Sequence, residues 1–413
     1  MKHTAILASL VVILSAIIFM PSIASDMKEK MNEQLIIAGT NGAAIDPLVT
    51  KLSPDGSIIL AGYISATKNS WAAKLNANHT IAWTYTGTLS PEDGDSELKN
   101  TLSGPQFRDV VPMPDGSVFL CGEMAHSVHS AQSTALLTHL NQQGDLISEQ
   151  LVDIQDAHEP RHLFSIATCT SFKGGILALA QEIHFHPPFS KPDAFSASFA
   201  LLQFDATGRL TKKHRFNPVG AMFQPVPGGS KLTILNNAFI VVTTNNVNTE
   251  ITAFAFDGKR IAGKTLNGRY ITVQNSGSDL VRIYGSSESG GAGLKTMMTL
   301  NNTLDEVEKK SGVKPASFVP HLVFELPDHE FAMFGTQINS FGDRLTSSVR
   351  RVSANLETER TIEIPHQGFF DGGAILAATP TSTQGEFTIA RSYAPQGVTP
   401  YVQRGALVHV MKF

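Results

Sequence analysis

The feature that most constrains the fold is an internal repeat. The stretch Pro54–Gly62 recurs sixty positions later as Pro114–Gly122, with the same Pro-Asp-Gly-Ser start and the same glycine end. Asp-Gly favours a tight hairpin turn, because glycine accepts the positive φ that such a turn needs. The apolar run that follows predicts a strand buried on both faces. A hairpin repeated at this spacing indicates a chain built from stacked copies of one unit.

Five weaker copies of the hairpin follow at Lys173–Leu179, Asn236–Val242, Gly277–Ile283, Pro327–Met333 and Asp371–Leu376. A second hairpin comes after most copies, with turns such as Asn76–Asn78 and Asp257–Gly258. Each unit is therefore predicted to contain four strands, called a to d. Seven four-stranded units of this length predict an all-β, seven-bladed β-propeller.

The last unit lacks a fourth strand of its own. It ends with the apolar stretch Ala406–Met411, and Leu35–Ala38 near the N-terminus belongs to no unit. We expect residues 33–40 to complete the seventh blade, because closure leaves no unpaired edge. The predicted single domain spans residues 33–413, with blades at about 46–90, 104–156, 160–218, 228–267, 268–314, 317–365 and 366–413.

The chain resembles secreted bacterial β-propellers built from Asp-Gly hairpin repeats with a pitch near sixty residues. The resemblance rests on Leu52–Gly62 with Lys74–Asn76, and on the matching Met113–Gly122 with His139–Asn141. It covers units one and two closely, unit three in part, and the last four units only as a pattern. It implies a fold and no particular activity, because propellers host many functions.

The N-terminus has the pattern of an export signal. A short basic start is followed by the apolar run Ala5–Met20 and by small residues at 22–24. A retained anchor is the alternative, but the run is shorter than the roughly 20 residues that span a bilayer, and Pro21 interrupts it. We expect a signal peptide at 1–24, a linker at 25–32, no later transmembrane segment, and a periplasmic or secreted protein.

Export makes Cys121 and Cys169 candidates for a disulfide bond. The alternative is a pair of buried free thiols, and the sequence leaves both open. The charge composition argues against a nucleic-acid partner. The net charge is −4 and there is no prominent basic cluster to contact a phosphate backbone, so we expect no nucleic-acid partner. A hydrophobic content of 42% supports a large core and excludes disorder.

The longest predicted connections are of the b–c and d–a kinds, which share one face of a propeller. They are 87–106, 122–133, 156–162, 182–196, 336–346 and 379–405. Long loops on one face of a rigid scaffold are where binding concentrates. The binding-face candidates in the connections around units two and three are His126, His129, Asp156, His158, Glu159, His162 and Asp193.

His184 and His186 are the candidate metal ligands. Alternate residues of an extended chain project to the same side, so these two imidazoles could face one divalent ion. A third ligand would have to come from another histidine of the cluster, with a carboxylate behind it. The alternative is a set of ordinary loop histidines and no cofactor.

No complete catalytic motif accompanies these loops; the Gly-x-Ser-x-Gly nucleophile elbow, for example, is absent. The favoured hypothesis is a non-catalytic binding module that presents its long-loop face to another protein or an envelope component. The alternative is a metal-dependent hydrolase or metal-binding protein that uses the histidine-rich loops. Whether the protein is an enzyme stays open at this point.

Overall fold

The structure is a computed structural model. It describes residues 32–38, 45–64, 69–87, 105–127, 132–152, 162–185, 195–216, 230–244, 247–276, 278–286, 295–312, 318–326, 329–338, 344–364, 377–393 and 405–412. The predicted signal peptide lies outside the described residues. Residues 31–413 group into one compact unit.

The described strands number twenty-eight, and β1 (Asn32–Ala38) precedes the rest. The strands that follow form antiparallel meanders of four. Meanders one to three contain β2 (Ile45–Leu52), β3 (Ile58–Ile64), β4 (Asn69–Leu75), β5 (Ile81–Thr86), β6 (Pro105–Pro112), β7 (Val118–Ser127), β8 (Gln132–Leu140), β9 (Leu146–Val152), β10 (His162–Phe172), β11 (Gly175–Phe185), β12 (Phe195–Phe204) and β13 (Leu210–Phe216).

Meanders four to six contain β14 (Ser230–Ile234), β15 (Ala238–Thr244), β16 (Asn248–Ala255), β17 (Arg260–Asn267), β18 (Arg269–Asn275), β19 (Leu280–Ser286), β20 (Lys295–Asn301), β21 (Glu306–Ser311), β22 (Phe318–Glu325), β23 (Phe331–Ile338), β24 (Arg344–Val352) and β25 (Thr358–Ile364). Meander seven contains β26 (Ala377–Pro380), β27 (Glu386–Tyr393) and β28 (Gly405–Lys412). Its fourth strand is β1, which pairs antiparallel with β28. The prediction that the N-terminal strand closes the last meander is therefore confirmed.

The number of separate sheets differs from the prediction. The described strands form six sheets, because meanders two and three belong to a single sheet of eight strands. One parallel pair, Leu163 with Ser133, joins β10 to β8. The Ser133 hydroxyl adds to this connection by donating to the Phe164 carbonyl and accepting from the Phe164 amide. The prediction of seven blades therefore differs from the six sheets that the described strands form, because the repeat spacing does not encode this join.

The hairpin turns follow the repeat chemistry. Gly56 and Gly116 have φ of 78° and 84°, as the Asp-Gly signal predicts. In the second repeat Asp115 accepts hydrogen bonds from the amide and the hydroxyl of Ser117. These bonds lower the pKa of Asp115, so the carboxylate stays charged and holds the turn. The first repeat makes the equivalent amide bond between Ser57 and Asp55.

The hydrophobic core is divided among the meander interfaces. Within the described part of the chain, seven buried clusters occur, and each joins residues of two successive meanders. One of them packs Ile45, Leu60 and Trp71 of meander one against Ala390 and Val408 of meander seven. The ring of interfaces is therefore closed, and the predicted all-β propeller arrangement is confirmed.

The second and fourth strands of a meander differ in burial. β15 is buried at every position, as predicted for the run that follows each first hairpin. The outer strand β17 instead alternates between exposed and partly buried residues. The inner part of each meander therefore supplies the packing, and the outer strand faces solvent on one side.

Several predicted connections were too long. β7 continues to Ser127 and β8 begins at Gln132, so most of the predicted 122–133 connection belongs to strands, and 128–131 lie outside the described residues. The connections at 182–196 and 336–346 shorten in the same way. The predicted 379–405 connection contains the whole of β27.

The strand β27 was missed because its sequence alternates between apolar and polar residues. Phe387 and Ile389 are buried, while the continuous apolar run used to recognise the other second strands is absent. The hairpin before β27 lies at 381–385, with Gly385 at φ 74°. The hairpin predicted at 371–376 lies outside the described residues.

A disulfide bond connects meanders two and three. Cys121 in β7 and Cys169 in β10 are bonded, with 6.6 Å between their Cα atoms and 48 positions between them in sequence. Both sulfurs lie inside the hydrophobic cluster that these two meanders share. In the described ranges no α-helix occurs, and none of their segments is a helix long and apolar enough to cross a membrane.

Candidate functional site

The predicted site residues fall into two groups. His126 lies near the end of β7, His162 begins β10, and His184 lies in β11. For these three, the strands fix the position of the backbone. The other candidates lie outside the described residues: His129, Asp156, His158, Glu159, His186 and Asp193. Their roles stay predictions.

Backbone register brings the three placed histidines to one end of the eight-stranded sheet. A row of paired residues crosses four strands there: Ala125, Ser133, Leu163 and Ile183. His126, His162 and His184 each adjoin this row in sequence, and His162 is paired directly with His184. The join between meanders two and three therefore places these positions side by side, although they are far apart in sequence.

Metal binding at this end depends on segments that the structure does not describe. Among the described residues, no group of three or more His, Cys, Asp or Glu side chains is placed to hold a metal ion. The predicted pair His184 and His186 has only its first member in a described strand. The metal site therefore stays a prediction.

A polar cluster that the sequence did not predict lies on the first strands of the meanders. Asp109 of β6 is buried, and one of its oxygens accepts from the Thr168 hydroxyl at 2.6 Å and the Cys169 amide at 3.0 Å. The other oxygen accepts from the Val110 amide at 2.8 Å and faces the Lys51 ammonium at 3.4 Å. With donors on both oxygens, this carboxylate is positioned to hold the strands together.

Lys231 of β14 extends the cluster to meander four. Burial lowers its pKa; the negative charge of Asp109 opposes that shift, and the positive charge of Lys51 adds to it. Asp109, Thr168 and Lys231 occupy equivalent positions of their first strands. Each is paired with a buried residue of the second strand in its own meander. One carboxylate is therefore shared electrostatically by the first strands of four meanders.

A signal for this cluster was present in the sequence. Asp109 stands directly before the apolar pair Val110–Val111, in a stretch that otherwise predicts a buried strand. A charged residue in such a strand indicates a buried partner elsewhere in the fold. The identity of the partners depends on which meanders are adjacent, so the sequence alone could not supply it.

Comparison with known proteins gives similarity of fold only. No family model matches the chain, and no curated protein matches it. Among solved structures it is similar to puromycin hydrolase, with a TM-score of 0.53 and 9% identity over 84% of this chain and 50% of that chain. This chain thus spans half the length of that enzyme.

Two further structures are similar at lower TM-scores. The β-propeller domain of the Trilobed protease from Pyrococcus furiosus gives 0.46, with 8% identity over 90% of this chain and 94% of that chain. A protein of unknown function from Bacteroides caccae gives 0.42, with 11% identity over 80% and 93%. The shared property is the fold. At such identities it carries no activity from one protein to another.

Proposed function

We propose that the protein is an exported β-propeller that acts as a non-catalytic binding module. Its partner is another protein or an envelope component, and it contacts the end of the propeller where the b–c and d–a connections lie. The observation that carries the proposal is the difference between the two ends. The a–b and c–d connections have two to five residues each, whereas residues 87–104, 217–229 and 394–404 separate strands whose facing ends lie at the other end.

The scaffold supports this function in two ways. Packed interfaces around a closed ring hold the strand ends that border these connections in fixed relative positions, which reduces the entropy lost on binding. The buried carboxylate of Asp109 accepts hydrogen bonds from meander three and so adds to the rigidity of the scaffold. A binding role therefore needs no group beyond those that the fold already presents.

Affinity capture tests the proposal. The chain from residue 25 is immobilised and exposed to a solubilised envelope fraction of its own source, next to a His162→Ala/His184→Ala variant. A Lys259→Glu variant serves as control, because Lys259 is exposed in a c–d turn at the opposite end. We expect one partner to be retained by the parent and the control and weakened in the double variant. Recovery of no partner, together with turnover of small substrates, would reverse the proposal.

The second candidate function is a metal-dependent hydrolase or metal-binding protein. The observation that favours it is the direct pairing of His162 with His184 across β10 and β11. With His186 and a carboxylate such as Glu159 or Asp193, these imidazoles would leave an open position on a zinc-like ion, which lowers the pKa of a bound water.

Metal analysis separates the two functions. Purified protein is equilibrated with zinc, dialysed and assayed for bound metal, next to a His184→Ala/His186→Ala variant. A His329→Ala variant is the control, because its ring is largely exposed in an a–b turn. One equivalent of metal in the parent and control, lost in the double variant, supports the metal site. Metal near zero in the parent, or unchanged in the double variant, rules it out.

A further inference from the structure

A buried lysine that forms no ion pair with any described carboxylate lies between meanders five and six. Lys295 is the first residue of β20, and only 4% of it is exposed. The equivalent positions of five other meanders, defined by their pairing with the second strand, are uncharged: Ser70, Ala135, Phe199, Thr249 and Ser347. The repeat therefore does not require a charge at this position, and the lysine needs a separate explanation.

Lys295 contacts meander six across the interface. Its ammonium donates to the Thr358 hydroxyl at 3.1 Å. Met297, two residues further along β20 and on the same face, packs in the cluster that includes Val352 and Phe318. One hydroxyl satisfies one of the three ammonium protons.

Arg350 brings a second positive charge to the same interface. Arg350 and Val352 lie on the same face of β24, and this face packs against meander five. The guanidinium carbon of Arg350 is 4.2 Å from the centre of the Phe318 ring. Its Nε is buried and has no hydrogen-bond partner among the residues that the structure describes.

The electrostatics of this interface are unbalanced. Burial lowers the pKa of Lys295 to about 8, and the charge of Arg350 adds to the shift. Burial also lowers the pKa of Arg350. Among the described residues, neither cation forms an ion pair with a carboxylate. A buried ammonium beside a half-buried guanidinium, with donors left unused, is costly unless an acceptor-rich group joins them.

We propose that Lys295 and Arg350 form a binding site for a tetrahedral oxyanion, with Thr358 as a hydroxyl ligand. Phosphate and sulfate carry the negative charge and the acceptor oxygens that these donors lack, and guanidinium groups bind such oxygens with two hydrogen bonds. The anion links the third strand of meander five to meander six. This site is separate from the predicted binding face near meanders two and three.

The test measures the thermal midpoint and the heat of binding for the whole chain from residue 25, with inorganic phosphate and sulfate as probes. Ionic strength is held constant with chloride. We expect a saturable rise of a few degrees in the parent and about one phosphate bound per chain, because a ligand that binds only the native state stabilises it. Lys295→Met should bind no phosphate and should be at least as stable as the parent in chloride alone.

Two further variants test the second cation and the specificity of the effect. Arg350→Gln should weaken phosphate binding at least tenfold. Lys309→Met removes an exposed charge from the adjacent strand β21 and should leave phosphate binding unchanged. Equal responses of the parent and Lys295→Met would overturn the site.

Discussion

His139 shows how a single residue can make stability depend on pH. Its ring is buried and stacks on Phe119 with 3.9 Å between centroids, and no described residue forms a hydrogen bond with either nitrogen. Burial lowers its pKa below the ordinary value of 6.5, and the charge of Asp115 offsets this only in part. The folded protein therefore holds this imidazole in its neutral form.

We predict that this histidine destabilises the protein in mild acid. Below pH 6.5 the unfolded chain binds a proton at His139 that the folded chain binds only at lower pH, so the free energy of unfolding decreases as pH falls. Urea midpoints of the parent and His139→Leu, measured between pH 7.5 and 5, should diverge, with the variant losing less. Parallel curves would show that the ring is protonated without cost.

Among the residues of the first strands, Asp109 is the one whose substitution should lower the free energy of unfolding most. In Asp109→Ala the Thr168 hydroxyl and the Cys169 amide lose their buried acceptor. We predict a decrease of about 3 kcal/mol in the free energy of unfolding, measured in urea. The Lys51 ion pair adds little, because the lysine is 45% exposed.

The control for Asp109 is Asp279→Ala, in an exposed a–b turn. It should change the free energy by less than about 0.5 kcal/mol. A similar effect for both aspartates would mean that the shared carboxylate does not stabilise the meanders that it connects.

Among the elements, the shortest hairpin depends most on its glycine. Lys173 and Gly174 alone connect β10 to β11, and both have positive φ, 49° and 81°. Nothing lies within 4 Å of a Cβ added at Gly174, so a substitution there tests the backbone conformation and not the packing.

We predict that Gly174→Ala lowers the free energy of unfolding by about 1 kcal/mol, because alanine is strained in the left-handed region. Gly174→Asn should cost less, since asparagine tolerates that region. Urea denaturation of both variants provides the measurement. If asparagine is no better tolerated than alanine, backbone strain is not the cause.

For the whole molecule, the N-terminal strand is the point at which the ring closes. The pairing of β1 with β28 covers an edge that would otherwise expose unpaired amides and carbonyls along Gly405–Lys412. Closure also brings meander one against meander seven, where Ile45 and Val408 share a cluster.

We predict that a chain starting at residue 45 is less stable than one starting at residue 31. The shorter chain loses β1 and should melt several degrees lower and self-associate through β28, since an open edge recruits other strands. Calorimetry and size-exclusion chromatography of the two chains provide the comparison. Identical melting of two monomers would show that β1 does not close the ring.

The sequence by itself determined the parts of this protein that depend on local chemistry. Asp-Gly turns, continuous apolar strands and the missing fourth strand of the last unit were sufficient for the propeller and its closure by residues near Leu35. Such signals depend on a few consecutive residues, so they can be recognised without knowing which parts of the chain pack against each other. The strand β27 was not predicted, because its alternating apolar and polar residues differ from the continuous apolar runs of the other second strands.

The tertiary structure alone decided which distant residues meet. The join at Ser133 and Leu163, the placement of His162 opposite His184, and the donors around Asp109 all depend on how one meander packs on the next. Lys295 is the clearest case, because a lysine that begins a strand gives no local indication of burial. Burial, and with it the need for a counter-ion, arises only when meander six covers it.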